Sequence, residues 1–490
     1  MRQAQPSQLQ LGEADIASIQ FDSRSRDDIP QLLRGLQFLY TNESIRDEVF
    51  EILQQVVPEN VDVQKGRPGM HLWQVLVMGT LRLNLNWDYD RLQEMVNHHN
   101  TIREMLGIGI RDESRKYGLQ TLKDNVSLLT PEVLDKINQV VIEAGHSIVK
   151  KKENALRGRC DSFVVETNVH YPTDINLLWD AIRKAVTLTA DLSQHSGLSL
   201  WRQHAFNLRE FRKLFRHTQR LKHSTSKDET KQALKQQAIT GAHEACLQRA
   251  RELVARIEAT LSLLCVSELQ IIQVMQIERF VMHANRQIDQ IQRRVIKDEK
   301  IAHAEKVFSL FEEHTEWVSK GKAGVPVELG LRVNIMEDQH GYILHHQVME
   351  NQTDDKVAVS IVRETLARYP ELRACSFDKG YHSPANQKDL RELLESVVLP
   401  KKGKRNKAEQ ERESTAEFQA MRCQHSAVES AINALEVHGL DRCPDHGIKG
   451  FRRYVALAVV ARNIQKLGAE LRKQERAAEE RKRRRLKRAA

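Results

Sequence analysis

Over the first 150 residues the apolar positions recur at three and four residue intervals. Leu32, Leu33, Leu36 and Leu39 follow Ile29-Pro30 at helical spacing, and Met70 to Leu83 is a strongly apolar helical stretch. Asp88 to Val96 and Thr101 to Leu106 read as short helical partners. Thr130-Pro131-Glu132 combines an N-cap with proline at the first helical position and opens a helix to about Lys150. The region 1–150 is therefore predicted to be all-helical. Short helices joined by tight turns suit a helix-turn-helix-like DNA-binding module, and a dimerisation bundle equally well.

The pattern changes at Arg159. Cys160 to Val169 is rich in β-branched residues and too short for a buried helix, so it reads as a strand. From about Asn176 to Phe311 the pattern is helical and highly charged, in the stretches Leu208–Arg220, Lys231–Leu264 and Leu269–Lys297, broken by the loop Ser224–Asp228. Sparse apolar positions over that length predict a helical arm or antiparallel hairpin rather than a compact core, for DNA embrace, dimer contacts or a coiled-coil partner. Strand-like sequence then returns. Val327–Met336 and Tyr342–Val348 flank a hairpin turn, Asp354–Arg368 is helical, and Leu372–Phe377 is a short strand ending at Asp378. Ser383-Pro384 caps a helix to about Glu395, and Ser396–Leu399 is a further strand. After the Lys/Arg-rich loop Lys401–Lys407, a long helix is expected from Ser414, with Ser414 and Glu417 as its capping box and Gly439 at its end. A last packed helix is expected from Gly450 to Leu467.

This order predicts an α/β layer architecture with an all-helical N-terminal domain and a long helical insertion after the first core strand. The segments are a helical domain for DNA binding or dimerisation (1–150), a first part of the core (151–175), the insertion (176–313), a second part of the core (314–468) and a basic tail (469–490).

Composition refines the picture. A chain of 490 residues with 40% apolar, 29% charged and 5% aromatic residues suits two or three helix-rich folding units and excludes a disordered chain. The net charge of +9 fits a polyanion partner, although solubility alone would also account for it. Its placement is more telling, because Arg481-Lys482-Arg483-Arg484-Arg485 is followed by Lys487 and Arg488. The bland alternative is a solvated, frayed helical tail. Six scattered cysteines without a CxxC pair indicate a reduced chain without a disulfide framework. Met1 to Asp15 has no apolar run, and Val455 to Ala461 is too short to span a bilayer. A cytoplasmic protein without membrane contact is expected.

Hydrolysis of a phosphodiester without a covalent intermediate is served by two divalent ions roughly 3.5–4 Å apart, held by carboxylates. Three acids on separate elements are candidates. Asp161 lies in the first strand, whereas Glu166, at an odd offset, faces the other side. Asp378 lies at a strand end before Lys379-Gly380-Tyr381. Glu429 lies on the long helix, beside the apolar face of Phe418, Met421, Val428, Ile432 and Leu435, in a polar line with Arg422, Asn433 and Glu436. Taken singly, an Asp at a strand edge is usually a turn former and a helical Glu a solvated side chain. Cys423, His425, Cys443 and His446 are also potential zinc ligands, but the Cys-x-His spacing within a helix favours packing cysteines and a turn histidine. His345 and His346 alternate faces of a strand and cannot chelate together.

The blocks containing these acids carry a resemblance. Cys160-Asp161-Ser-Phe-Val-Val-Glu-Thr-Asn-Val-His-Tyr-Pro-Thr-Asp174 resembles the first-aspartate block of bacterial insertion-sequence DDE transposases. Ser376-Phe-Asp378-Lys-Gly-Tyr-His-Ser-Pro resembles their second-aspartate block, and His425-Ser-Ala-Val-Glu429 through Cys443 their glutamate block. Trp317 through Gly330 is similar to the family's lead-in to the hairpin, and the nearest group is the ISNCY type. Members often carry arginine where His425 stands. The resemblance implies an RNase H-like core in which Asp161, Asp378 and Glu429 hold two Mg2+ or Mn2+ ions. It implies cleavage at the ends of an insertion sequence and transfer of the released 3′-hydroxyl into target DNA. Lys379, Lys401, Lys402, Lys404 and Arg405 become DNA-binding candidates, with Arg422 and His425 beside the glutamate. Double-stranded DNA, as terminal repeats and target, is the implied partner of a homodimer associated with the nucleoid. Two rival readings share the fold: a catalytically silent DNA-binding derivative, and a nuclease without strand transfer.

Overall fold

The computed structural model describes residues 12–57, 69–109, 111–149, 155–223, 225–264, 268–319 and 327–489. The first eleven residues, Lys150, Ser224, Cys265 and the part of the lead-in from Lys320 to Pro326 lie outside the described residues. The described residues are mostly helical with one mixed sheet. Its elements are α1 (Asp28–Thr41), α2 (Glu43–Gln54), α3 (Leu72–Asn84), α4 (Tyr89–His98), α5 (Asn100–Met105), α6 (Leu119–Val126), α7 (Pro131–Val149), β1 (Leu156–Thr167), α8 (Asp174–His195), α9 (His204–Arg220), α10 (Glu229–Leu263), α11 (Glu268–Ile291), β2 (Glu316–Ser319), β3 (Val327–Glu337), β4 (Ile343–Met349), α12 (Asp354–Arg368), β5 (Leu372–Phe377), α13 (Pro384–Leu393), β6 (Ser396–Val398), α14 (Lys407–Ser414), α15 (Ala416–His425), α16 (Ala427–Leu435), β7 (Arg442–Cys443) and α17 (Gly447–Ala489). Among the described residues no helix is long and apolar enough to cross a membrane.

Contacts divide the chain into two compact units, residues 1–168 with 318–490, and residues 169–317. In the first unit the strand order is β2-β3-β1-β5-β6, with β4 on β3 and β7 on β1. β1 runs antiparallel to β3 and parallel to β5, and β5 is parallel to β6. Side chains alternate across this sheet. Phe163 and Val165 of β1 join Val333 and Leu331, opposite them on β3, in a core shared with α1, α3, α7, α16 and α17. Cys160 and Met336 face the other way, into a second core built with α12 and α13.

Local chemistry explains several element ends. Ser383 accepts from the Asn386 N–H and precedes Pro384 at the start of α13. Asp338 turns the β3–β4 hairpin by accepting the N–H groups of His340 (2.8 Å) and Tyr342 (2.9 Å). Gly439 takes a φ of +106° after α16, a conformation that favours glycine.

Four expectations are corrected. The expected single helix from Ser414 is two, α15 and α16, and a further helix, α14, precedes it and ends at Ser414. The capping box is Asn406 with Glu409, α15 is capped by Thr415, and Glu417 accepts instead from Ser396 Oγ at 3.3 Å. The last helix does not stop at Leu467. It continues as α17 through the basic tail, because Glu475 and Glu479 anchor it to Arg34 (3.1 Å) and Ser23 (3.0 Å). Cys423 is exposed rather than packed, whereas Cys443 is buried. The helical insertion is not a bare arm. Within the second unit Leu178, Ile182, Phe211, Leu253, Ile257, Ile277 and Ala284 form its own core, and Trp179 stacks on Phe211 and Phe215 with ring centroids 5.9 and 5.5 Å apart.

Candidate active site

Two of the three acids meet through strand register. Cys160 and Phe377 are paired partners on the parallel strands β1 and β5. Asp161 and Asp378 are the next residue on each chain, so both side chains leave on the same side of the sheet. Two residues earlier the paired partners Arg159 and Ser376 occupy that same side. Arg159 is held there by Glu337 of β3 at 3.0 Å.

The third acid arrives on a helix. α15 packs on β5 and β6, and α16 on β1. Val428, Ala431 and Leu435 of α16 are buried in the core that holds Phe163 and Val165, which fixes the helix on this face. His425 ends α15 with Nδ1 3.0 Å from Ser376 Oγ. Glu429 lies four residues on, in the first turn of α16 beyond Ser426. Asp378 lies two strand residues beyond Ser376, a rise of about 6.6 Å. α15 is anchored over Ser376 and α16 packs on β1, and Asp378 and Glu429 both lie near enough to act on the charge of Asp161 and of His425.

Electrostatics agrees with this convergence. Burial pushes the Asp161 carboxyl up to about 7, and the charges of Asp378, Asp354 and Glu429 push in the same direction against the hydrogen bond from the Ser162 N–H. Burial lowers the pKa of His425, while Asp378 and Glu429 pull it back up. Asp378 and Glu429 are both exposed. Asp161 spends one carboxylate oxygen on the N–H of Ser162 at 2.8 Å. Among the described residues no group of three His, Cys, Asp or Glu side chains is drawn together closely enough to hold a metal ion.

The other candidates are spread more widely. Lys379 is exposed on the turn after Asp378. Lys401 pairs with Glu409 at 2.6 Å and Arg405 with Glu413 at 3.0 Å, while Lys402 and Lys404 are exposed on the same β6–α14 connection. Arg422 is half-buried one turn before His425. Glu166 bonds Arg442 of β7 at 2.8 Å. His345 and His346 point to different partners, Glu364 and Asp135. Sequence reasoning missed Ser162, Ser376 and Asp354. The Asp354-Asp355 pair reads as ordinary acidic residues at a helix start, and no local motif marks the contact Asp354 makes.

A family model described as "Transposase DDE domain" matches residues 290–464, a little over a third of the chain. The matched span contains Asp378 and Glu429 and leaves Asp161 outside. No curated protein and no solved structure matches the chain. The match supports a DDE-type transposase, with DNA as the implied partner.

Proposed function

We propose that the protein cuts DNA at the ends of an insertion sequence and joins the released ends to target DNA, with Asp161, Asp378 and Glu429 as its acid triad. The observation that carries this reading is the register of β1 on β5, which sets Asp161, midway along β1, beside Asp378, just past the end of β5, on the face where α16 packs on β1. The sheet order, with β4 beyond β3 and β5-β6 parallel to β1, supports an RNase H-like core.

The residues fit a divalent cation. Hard cations prefer carboxylate oxygens. The raised Asp161 carboxyl, surrounded by like charges, marks a place where positive charge is wanted. Two Mg2+ or Mn2+ ions held by the triad would activate water and neutralise charge developing at the phosphate. The chain's own groups do the rest. His425 and Ser376 fix the turn that bears Glu429. Lys379 offers a cation to the DNA phosphate beside Asp378, and Lys402 and Lys404 offer two more on the β6–α14 connection. Water attacks the phosphodiester at the element end and frees a 3′-hydroxyl. That hydroxyl attacks a target phosphodiester, forming a new bond as the target's own 3′-oxygen leaves.

The test is strand transfer by purified protein on its element's end DNA with Mg2+ or Mn2+, beside Asp378→Ala. Joining that the substitution abolishes supports the proposal. Cleavage without joining indicates a nuclease. DNA binding with no cleavage by either protein indicates a silent derivative.

A further inference from the structure

A fourth carboxylate, outside the triad, touches the segments that carry Asp161 and Asp378. Ser162 follows Asp161 on β1 and faces the opposite side of the sheet. Its hydroxyl donates to Asp354 Oδ1 at 2.6 Å, across 192 residues of sequence. Asp354 is the first residue of α12. Gly380 stands two residues after Asp378, and a Cβ there would lie 3.1 Å from Asp354 Oδ2. One oxygen of Asp354 therefore engages the β1 segment, and the other backs the turn after β5.

Buried polar groups extend this clamp. The Tyr381 hydroxyl accepts from Asn334 Nδ2 of β3 at 2.9 Å and also hydrogen-bonds Ser162. Asn386 Nδ2 donates to the carbonyls of Asp355 (2.6 Å) and Tyr381 (2.8 Å), tying the starts of α12 and α13 to the same turn. Asn334, Tyr381 and Asn386 are all buried. Such a network holds one arrangement when every member is satisfied. The negative charge of Asp354 works against gathering three more acids nearby. What it contributes is geometry.

We propose that Asp354 is a positioning residue: by holding Ser162 and backing the Gly380 turn, it sets the spacing between Asp161 and Asp378. The inference rests on the reading of those acids as a metal-binding set. Partners behind metal ligands are commonly worth 10- to 100-fold in metal affinity.

The experiment titrates Mn2+ into DNA-free protein, reading free Mn2+ by electron paramagnetic resonance and the thermal midpoint alongside. The wild type is compared with Asp354→Ala, Asp354→Asn, Ser162→Ala and Asp378→Ala. We expect Asp354→Ala and Ser162→Ala to need about tenfold more Mn2+ for half-saturation while the thermal transition shows both still folded at the temperature of the titration. Asp354→Asn, which keeps an acceptor for Ser162, restores binding. Wild-type Mn2+ affinity in Asp354→Ala overturns the proposal. A loss in Asp354→Asn as deep as in Asp354→Ala also overturns it, because charge rather than position would then be required. If the wild type binds no Mn2+, or Asp378→Ala binds as well as the wild type, the metal-site reading itself fails and takes this inference with it.

Discussion

His425 Nδ1 lies 3.0 Å from Ser376 Oγ, and this contact sets which helical turn lies over the end of β5. Without it the end of α15 that leads into α16 would keep only apolar packing near β5, with the Glu417–Ser396 bond two helical turns away, and such packing tolerates small sliding. His425→Ala should therefore slow end cleavage roughly tenfold, the scale of one lost hydrogen bond to a half-buried group. Ser376→Ala should cost about the same, and the double variant no more than either. Initial cleavage rates of the four proteins decide this, since additive losses would separate the two roles.

The raised Asp161 carboxyl has a stability consequence. Its folded pKa of about 7 lies above the ordinary value of 3.8, so its ionisation opposes folding. Stability is greatest below the unfolded value and falls as pH rises through 7. In metal-free protein Asp161→Asn should gain about 1–3 kcal/mol over the wild type, growing from pH 4 to pH 7 and level above it. Urea unfolding across this range measures it, and saturating Mn2+ should erase the advantage.

His346 gives the opposite sign. Burial lowers it to about 4, with Asp135 3.6 Å away and Arg368 and His345 nearby. A depressed histidine gives stability that is complete above 6.5 and is lost as pH falls through 4. His346→Leu, which leaves Asp135 paired with Arg368 at 3.0 Å, should flatten the acid side of the stability curve by up to about 3 kcal/mol. Thermal midpoints of both proteins between pH 7 and pH 4 test this.

The crossing of α1 and α17 depends on two glycines. A Cβ at Gly468 would collide with the Gln31 carbonyl oxygen, and one at Gly35 with that of Ile464. Gly468→Ala should destabilise the first unit by about 2–3 kcal/mol, read as a lower urea midpoint, even though alanine is the better helix former.

The parts legible in the sequence were those set by local signals. Leu372–Phe377 is a short apolar run bounded by polar residues, and β5 has those limits. Asp354–Arg368 is amphipathic between turn residues, and α12 spans it. Where two local signals competed, reading failed. Both Asn406-x-x-Glu409 and Ser414-x-x-Glu417 fit a capping box, and the fold uses the first. The last helix was expected to end at Leu467, yet the next residue, Gly468, is where α17 meets the backbone of α1. The core of the insertion was hidden because its aromatic stacking joins residues far apart, such as Trp179 with Phe211. Asp161, Asp378 and Glu429 stood out through the sequence blocks around them. Asp354 had no such block, because its meaning lies in a contact with Ser162 that only folding creates.

In the proposed function Asp161, Asp378 and Glu429, on three elements, form one metal centre. Iron-directed backbone cleavage tests it most directly. Fe2+ is exchanged for Mg2+ in the native protein, ascorbate and peroxide are added, and the fragments are mapped. Cuts near 161, 378 and 429 that excess Mg2+ suppresses together, and that Asp378→Ala removes together, are the predicted result. Cuts near only one of these positions, or cuts that persist in Asp378→Ala, would contradict a shared centre.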